Sequence, residues 1–485
     1  MDTVSRIAMD TSKNNSHHVS HSHWVKSLST WKLDSALVIA IAMILVVFAY
    51  YLLFSFQVYG YDEPHYYLDW TFKLKEEGRW INFLLHDFLR TSPLTGDAVL
   101  FVIVAWVVLY RIGLNMTTRR ADACLIASVL LVAAPFADLS PWAASSLPTM
   151  VTLLGLSLLA SRYGNYRLVY LLGGGLLFGM LQNYYFILPL FFLRDFSPNK
   201  LEPRPYAARL LSHGMYWIAG SIVGLICSVA AVYFLTGQLG IVPAPWRHAM
   251  PAHNLHDVIR NIHYVGANLK EQKRFLVGIA TKQSAVFGVL VAILAVLRVP
   301  AWRHEIPRLL VISAVGLSFF AFSVPLAPII QTRSVITLSI ALTLIALVPY
   351  EQRFLARVLS IVLLTWAGWN MMVYAHTSFE RQKNGNEFVL RGIENALPHA
   401  PYGYQAVAIF GEMDSKFPES RILNSPPQMV AIVQAVGAPS YINCMTKSDV
   451  CDVLSERLNV KSGSGGEGIR YVGTANDIAV LNIGP

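Results

Sequence analysis

Charged side chains are what this sequence has least of: Asp, Glu, Lys and Arg make up 14% of it, against 54% apolar residues. So little charge excludes an ordinary soluble globular chain and points to a protein with several membrane segments. No cleavable-signal pattern opens the chain, so the first apolar run is expected to stay in place as an anchor. No internal repeat is visible and the apolar runs carry few charges, both of which weigh against a transporter or flippase. Cysteine is limited to 4 residues, and no HExxH or cysteine-containing metal pattern occurs. The charge present leans basic, 38 Lys and Arg against 29 Asp and Glu. Most of those cations lie in short loops between apolar runs, where they set orientation and do not form a nucleic-acid surface.

Residues 1–35 are polar and Ser-rich, with His17, His18, His21 and His23, and read as a disordered cytoplasmic tail. The uncharged run Ala36–Gly60 is long enough to cross a bilayer as one helix. Taking Lys and Arg as markers of the cytoplasmic side, the next spans are Ala98–Tyr110 inward, Ala121–Phe136 outward and Leu147–Ala160 inward. Leu168–Leu193 is flanked by basic residues at both ends. It is therefore expected to hold two short passes turning near Gln182-Asn183, the competing reading being one long tilted helix. Gly214–Leu235, Gln283–Leu297, Leu309–Val324, Ser334–Val348 and Leu359–Ala375 complete roughly eleven segments, counted from the apolar runs. The fold class expected is thus a mainly α, polytopic helical bundle over 36–375, N-terminus cytoplasmic, followed by a small α/β domain over 376–485 outside. In that domain Ala406–Phe410 and Ile478–Ile483 read as strands, and Pro427–Val436 and Asp449–Leu458 as helices. Cys444 and Cys451 fall on the oxidising side and are expected to pair, whereas Cys124 and Cys227 lie in apolar spans as packing residues.

Three outward loops, 60–97, 236–281 and 325–333, carry most of the polar chemistry. The first holds eleven charged residues and two histidines. Its acidic pair, Asp62-Glu63, sits where the first span emerges into water. Residues His65–Trp80 interleave aromatics with charge and read as an amphipathic helix lying in the membrane interface. Gly78 should end that helix and leave Arg79 near its C-terminus. A carboxylate placed there can take the proton of a sugar hydroxyl attacking an anomeric carbon, and arginine suits a departing phosphate. Asp62 and Glu63 are therefore the candidate bases, and Arg79, Arg333, Arg247, Lys270, His65 and Tyr66 the candidate substrate-binding residues. His253, His256 and His263 beside Asp257 invite a zinc reading, but the spacing lacks a supporting motif and no metal or other cofactor is expected. The intramembrane Gln182-Asn183-Tyr184-Tyr185 group is read as helix packing, with a lipid-carrier groove as the sharper alternative.

The order of parts, DEPHYYLDW followed by EEGRWINFLL, then ADLSPWAASSLP and FGMLQNYYFILPL, resembles the serotype-converting O-antigen glucosyltransferases of bacteria and their phages, within the GT-C class of membrane glycosyltransferases. The likeness covers the layout of residues 36–375, and its motifs are short. It implies a bacterial inner-membrane enzyme that moves glucose from undecaprenyl-phosphate-glucose to lipid-linked O-antigen repeat units on the periplasmic face. It implies a companion flippase and donor synthase as partners, with Asp62 or Glu63 as the family's first-loop acidic residue and Arg79 as the Arg of its Gly-Arg pattern. Another GT-C transferase, acting on protein or lipid A, is the alternative within the class.

Overall fold

The computed structural model describes residues 28–55, 70–89, 94–196, 203–243, 247–271, 299–330, 332–347, 354–374, 380–397, 404–411, 440–444, 449–460 and 468–484, with a few isolated positions between them. The chain is mainly helical and ends in a small sheet. Helix α1 spans Leu28–Ser55, α2 Thr71–Glu77, α3 Trp80–Leu89, α4 Leu94–Met116 and α5 Arg120–Ala133. A single turn, α6 (Phe136–Leu139), leads into α7 (Ala143–Tyr163) and α8 (Tyr166–Phe178). A 3-10 segment, Gln182–Phe196, precedes α9 (Pro203–Thr236), α10 (Leu255–Glu271), α11 (Val299–Ser323), α12 (Ile336–Leu347) and α13 (Phe354–Tyr374).

Among the described residues three helices are long and apolar enough to cross a membrane: Gly96–Met116, Tyr206–Thr236 and Glu305–Ser323. Four shorter apolar helices, Ser35–Tyr51, Tyr166–Phe178, Ile336–Leu347 and Arg357–Val373, pack with them around one apolar core. Residues Ala121–Ala133 of α5 are all buried, because this helix is apolar on every side and is enclosed by α1, α4, α12 and α13. The span expected over Gln283–Leu297 falls almost wholly outside the described residues.

The stretch 168–193 does turn near Gln182: α8 ends at Phe178 and the chain returns as the 3-10 segment, which contains Pro189. Close packing holds α8 against α9. A Cβ on Gly174 would fall 1.8 Å from the Gly220 carbonyl oxygen, and one on Gly220 would fall 2.3 Å from that of Tyr170. Glycine at these positions lets α8 and α9 approach backbone to backbone.

The polar side chains divide between two ends of the helical part. At one end Arg357 of α13 pairs with buried Asp122 of α5 at 2.8 Å, and Arg308 Nε donates to the Leu193 carbonyl at 3.2 Å. Arg194 donates to the Leu114 carbonyl at the same end. The opposite end gathers α2, α3, the start of α7, the turn after α8, the end of α9 and the loops around 247 and 326.

Helix α14 (Glu380–Ala396) opens the C-terminal unit, with α15 at Asp449–Leu458 and strands β1 (Ala406–Gly411), β2 (Tyr441–Asn443), β3 (Gly468–Ala475) and β4 (Ile478–Gly484). The order is β2-β1-β4-β3, parallel between β2, β1 and β4 and antiparallel between β4 and β3. Asn476 (φ +51°) and Asp477 (φ +60°) make the tight β3–β4 turn, residue types that tolerate the left-handed region. Alternation along β1 sends Val407 and Ile409 to one face with Val389 and Ile393 of α14. It sends Ala408 and Phe410 to the other with Leu454 of α15, giving three layers. Cys444 and Cys451 are disulfide-bonded, while Cys124 is buried and unpaired and Cys227 is half-buried. The helix expected over Pro427–Val436 lies largely outside the described residues, and β2, β3 and α14 are elements that the sequence reading did not anticipate.

Candidate functional site

Gly78 is where the stretch between α2 and α3 acquires its geometry. Its φ of +67° lies in the left-handed region, and its N–H donates to the Leu74 carbonyl at 2.9 Å, closing α2. A Cβ there would meet Ile241 Cδ1 at 2.5 Å. Residues two apart on a continuous helix point away from each other. The left-handed step at Gly78 removes that constraint, and Arg79 Nη2 pairs with Glu77 Oε2.

Glu77 is the centre of the cluster. Lys73 Nζ approaches its Oε1 at 3.1 Å from one helical turn away, and Arg247 Nη2 approaches the same oxygen at 2.6 Å from the middle loop. Gln182 Nε2 donates to the Glu77 backbone carbonyl at 2.7 Å, tying the turn after α8 to the cluster. Lys73, Glu77 and Arg79 are all buried, at 2%, 6% and 7% exposure, too enclosed to be a solvated surface pair. Lys73, Arg79 and Arg247 thus all meet the Glu77 carboxylate, which holds cations from separate parts of the chain in one place.

Backbone bonds tie the segments around 242, 247 and 326–329 to this point. Val242 N–H donates to the Lys75 carbonyl at 3.2 Å, and Ile329 N–H to the Arg247 carbonyl at 2.9 Å. Asn261 of α10, fully buried, donates from Nδ2 to the carbonyls of Met250 (2.8 Å) and Val324 (3.0 Å). On the other side α3 docks through Ile81 N–H to the Gly179 carbonyl at 2.9 Å. Trp80 packs against Gly179, where an added Cβ would fall 2.5 Å from the indole Nε1.

Of the residues singled out from sequence, the structure brings Arg79 and Arg247 together. Asp62, Glu63, His65 and Tyr66 lie outside the described residues. Arg333 belongs to the 3-10 turn Thr332–Val335 and Lys270 to α10, with both side chains outside the described residues. Helix α2 corrects the interfacial reading. Its described part begins at Thr71, and Trp70, Lys73 and Leu74 are buried in protein where a lipid-facing helix would expose them. The packing reading of the 182–185 group also needs amendment. Tyr184 and Tyr185 are buried, and Tyr185 donates to the Trp217 carbonyl, but Gln182 belongs to the Glu77 cluster.

Sequence reasoning missed Lys73, Glu77 and Gln182 as site residues. The usable signal was the Glu-Gly-Arg break itself, because a glycine between opposite charges can fold them onto one another. On α10, His256 and His263 are exposed, and His253 donates its backbone N–H to Asp257 Oδ2 at 3.0 Å. That bond, reinforced by Arg260, holds the Asp257 carboxyl below the usual carboxylate range. No group of three or more His, Cys, Asp and Glu suited to a metal occurs among the described residues. No family model, curated protein or solved structure matches this chain.

Proposed function

We propose that the chain is an integral-membrane glucosyltransferase of GT-C type, which moves glucose from undecaprenyl-phosphate-glucose to lipid-linked O-antigen repeat units on the periplasmic face. The observation that carries the reading is the buried Glu77 cluster, in which Arg79 and Arg247 converge from two separate loops. In this reading the helical part is a polytopic bundle of about eleven segments in the bacterial inner membrane. The Glu77 end is periplasmic and the Asp122 end, rich in Arg, cytoplasmic.

The donor phosphate meets the Arg79 and Arg247 guanidiniums, with Lys73 behind them, and Glu77 fixes the cations so that they need not reorganise as charge develops. An apolar cleft of about 400 Å³ on α9, lined by Leu225, Ile226, Val229 and Phe234, lies one turn from Ser228, the neighbour of Gly78, and suits the lipid chain. Asp62 or Glu63 takes the proton from the acceptor hydroxyl. The hydroxyl oxygen then bonds to the anomeric carbon, the bond from that carbon to the phosphate oxygen breaks, and the lipid phosphate leaves with the electron pair.

The test is separate Asp62→Asn, Glu63→Gln and Arg247→Ala variants, each followed by mass spectrometry of lipopolysaccharide from cells expressing it. Loss of the base should slow modification by about 10²–10⁴-fold. Normal expression with full modification in both carboxylate variants would sink the role of the pair. Full modification in Arg247→Ala would sink the role of the cluster.

A further inference from the structure

The C-terminal unit contains a second cleft, of about 490 Å³, between α14 and the edge strand β3. That volume is within the roughly 300–1,000 Å³ of small-molecule sites. Asn384, Glu387, Phe388, Arg391 and Asn395 line it at spacings of three and four, so they form one stripe of α14, and Ile469 of β3 faces them. The opposite face of α14 packs into the core through Val389 and Ile393, and of the stripe Phe388 also touches that core, while Asn384, Arg391 and Asn395 are exposed. Gly392 lets the helix settle against the strand: a Cβ there would come 2.7 Å from Ile469 Cδ1.

The chemistry of the stripe selects its ligand. Arg391 Nη2 lies 3.5 Å from Glu387 Oε2, so the one cation and the one carboxylate that line the cleft offset each other. Asn384 and Asn395 each present a carbonyl acceptor and an amide donor, and Asn384, Arg391 and Asn395 are exposed at the rim. Phe388 and Ile469 are half-buried and supply an apolar wall between those polar groups. Adjacent hydroxyls that both give and accept hydrogen bonds, on a ring with an apolar C–H face, match this lining. A phosphate or carboxylate ligand would want more cations than the cleft has.

We infer that the α14–β3 cleft binds a neutral oligosaccharide, at a site separate from the Glu77 cluster. Its assignment as the acceptor glycan rests on the transferase reading above, whereas its preference for a neutral glycan does not. The experiment uses the full chain in detergent and an array of neutral, lipid-free bacterial O-polysaccharide fragments, with affinity then measured for the fragments retained. The wild-type chain and Arg247→Ala should bind alike, and an Asn384→Ala/Asn395→Ala double variant should bind at least tenfold more weakly. Both asparagines are exposed, so the double variant should fold, and unchanged thermal unfolding checks this. Absence of binding by the wild-type chain, or equal binding by the double variant, overturns the proposal. Loss of binding in Arg247→Ala also overturns it, because the glycan would then sit at the Glu77 cluster. Binding that survives in a chain lacking transferase activity would leave the cleft standing and remove only the acceptor assignment.

Discussion

Two buried carboxylates, Glu77 and Asp122, sit at opposite ends of the helical part and are used differently. Asp122 is fully buried on α5, and Arg357 binds its Oδ1 through Nη2 at 2.8 Å and Nε at 2.9 Å. That contact joins α5 to α13. Glu77 receives Lys73, Arg79 and Arg247, drawn from one short helix, the turn after it and a loop some 170 residues away. Burying charge is expensive, and here one carboxylate gathers cations from elements far apart in the chain. The contrast separates an ion pair between two packed helices from a cluster that ties a loop to a short helix and the turn after it.

The sharpest way to break this comparison is to neutralise each carboxylate in turn. Glu77→Gln and Asp122→Asn should each destabilise the protein by about 3–5 kcal/mol, because each takes a buried carboxylate's charge away from the cations it pairs with. Thermal unfolding in detergent measures that. Glu77→Gln should in addition cut transfer per folded molecule by about 10²-fold, the scale of losing a preorganised charge partner, and Asp122→Asn should leave it nearly unchanged. Equal transfer in the two folded variants would erase the distinction.

Glycines at the two ends provide a steric version of the same test. A Cβ on Gly179 would meet Trp80, and one on Gly113 would fall 2.7 Å from the Ala123 carbonyl oxygen. Gly179→Ala and Gly113→Ala should each cost about 1–3 kcal/mol by overpacking, seen as lowered unfolding temperatures. Only Gly179→Ala should raise KM for the lipid-phosphate donor, since only α3 abuts the Glu77 cluster. Arg247→Lys is milder. It keeps the charge but loses the planar fork, and should raise KM about tenfold with a smaller change in kcat, read from steady-state kinetics.

The smallest effect concerns Asp257. Its folded pKa lies below the ordinary value because the His253 N–H bonds the ionised carboxylate. The stabilisation is therefore complete above the unfolded pKa of about 3.9 and is lost as pH falls through the folded value. Hydrogen exchange at the start of α10 should quicken on acidification through that range, and Asp257→Asn should abolish the pH dependence.

Local signals were legible where one residue or one period decides the outcome. Gly78 does stop α2, Asp449–Leu458 is helical, Cys444 pairs with Cys451, and a break does fall near Gln182. Strands β2 and β3 were not legible, because a three-residue strand and an edge strand take their pairing from neighbours and carry little period of their own. The expected interfacial helix failed for a related reason. Aromatics interleaved with Lys and Glu suit lipid headgroups, but they suit a protein cavity with internal ion pairs equally well.

By itself the sequence determined the mainly helical class, the apolar runs and the concentration of polar residues in three loops, all of which follow from composition and periodicity. It also brought Arg79 and Arg247 forward by residue type. Only the tertiary structure decided that these two meet, that Glu77 joins them, and that Gln182 belongs to the same cluster. Those contacts span up to 170 residues, and pairing over such separations is set by how helices and loops pack in three dimensions.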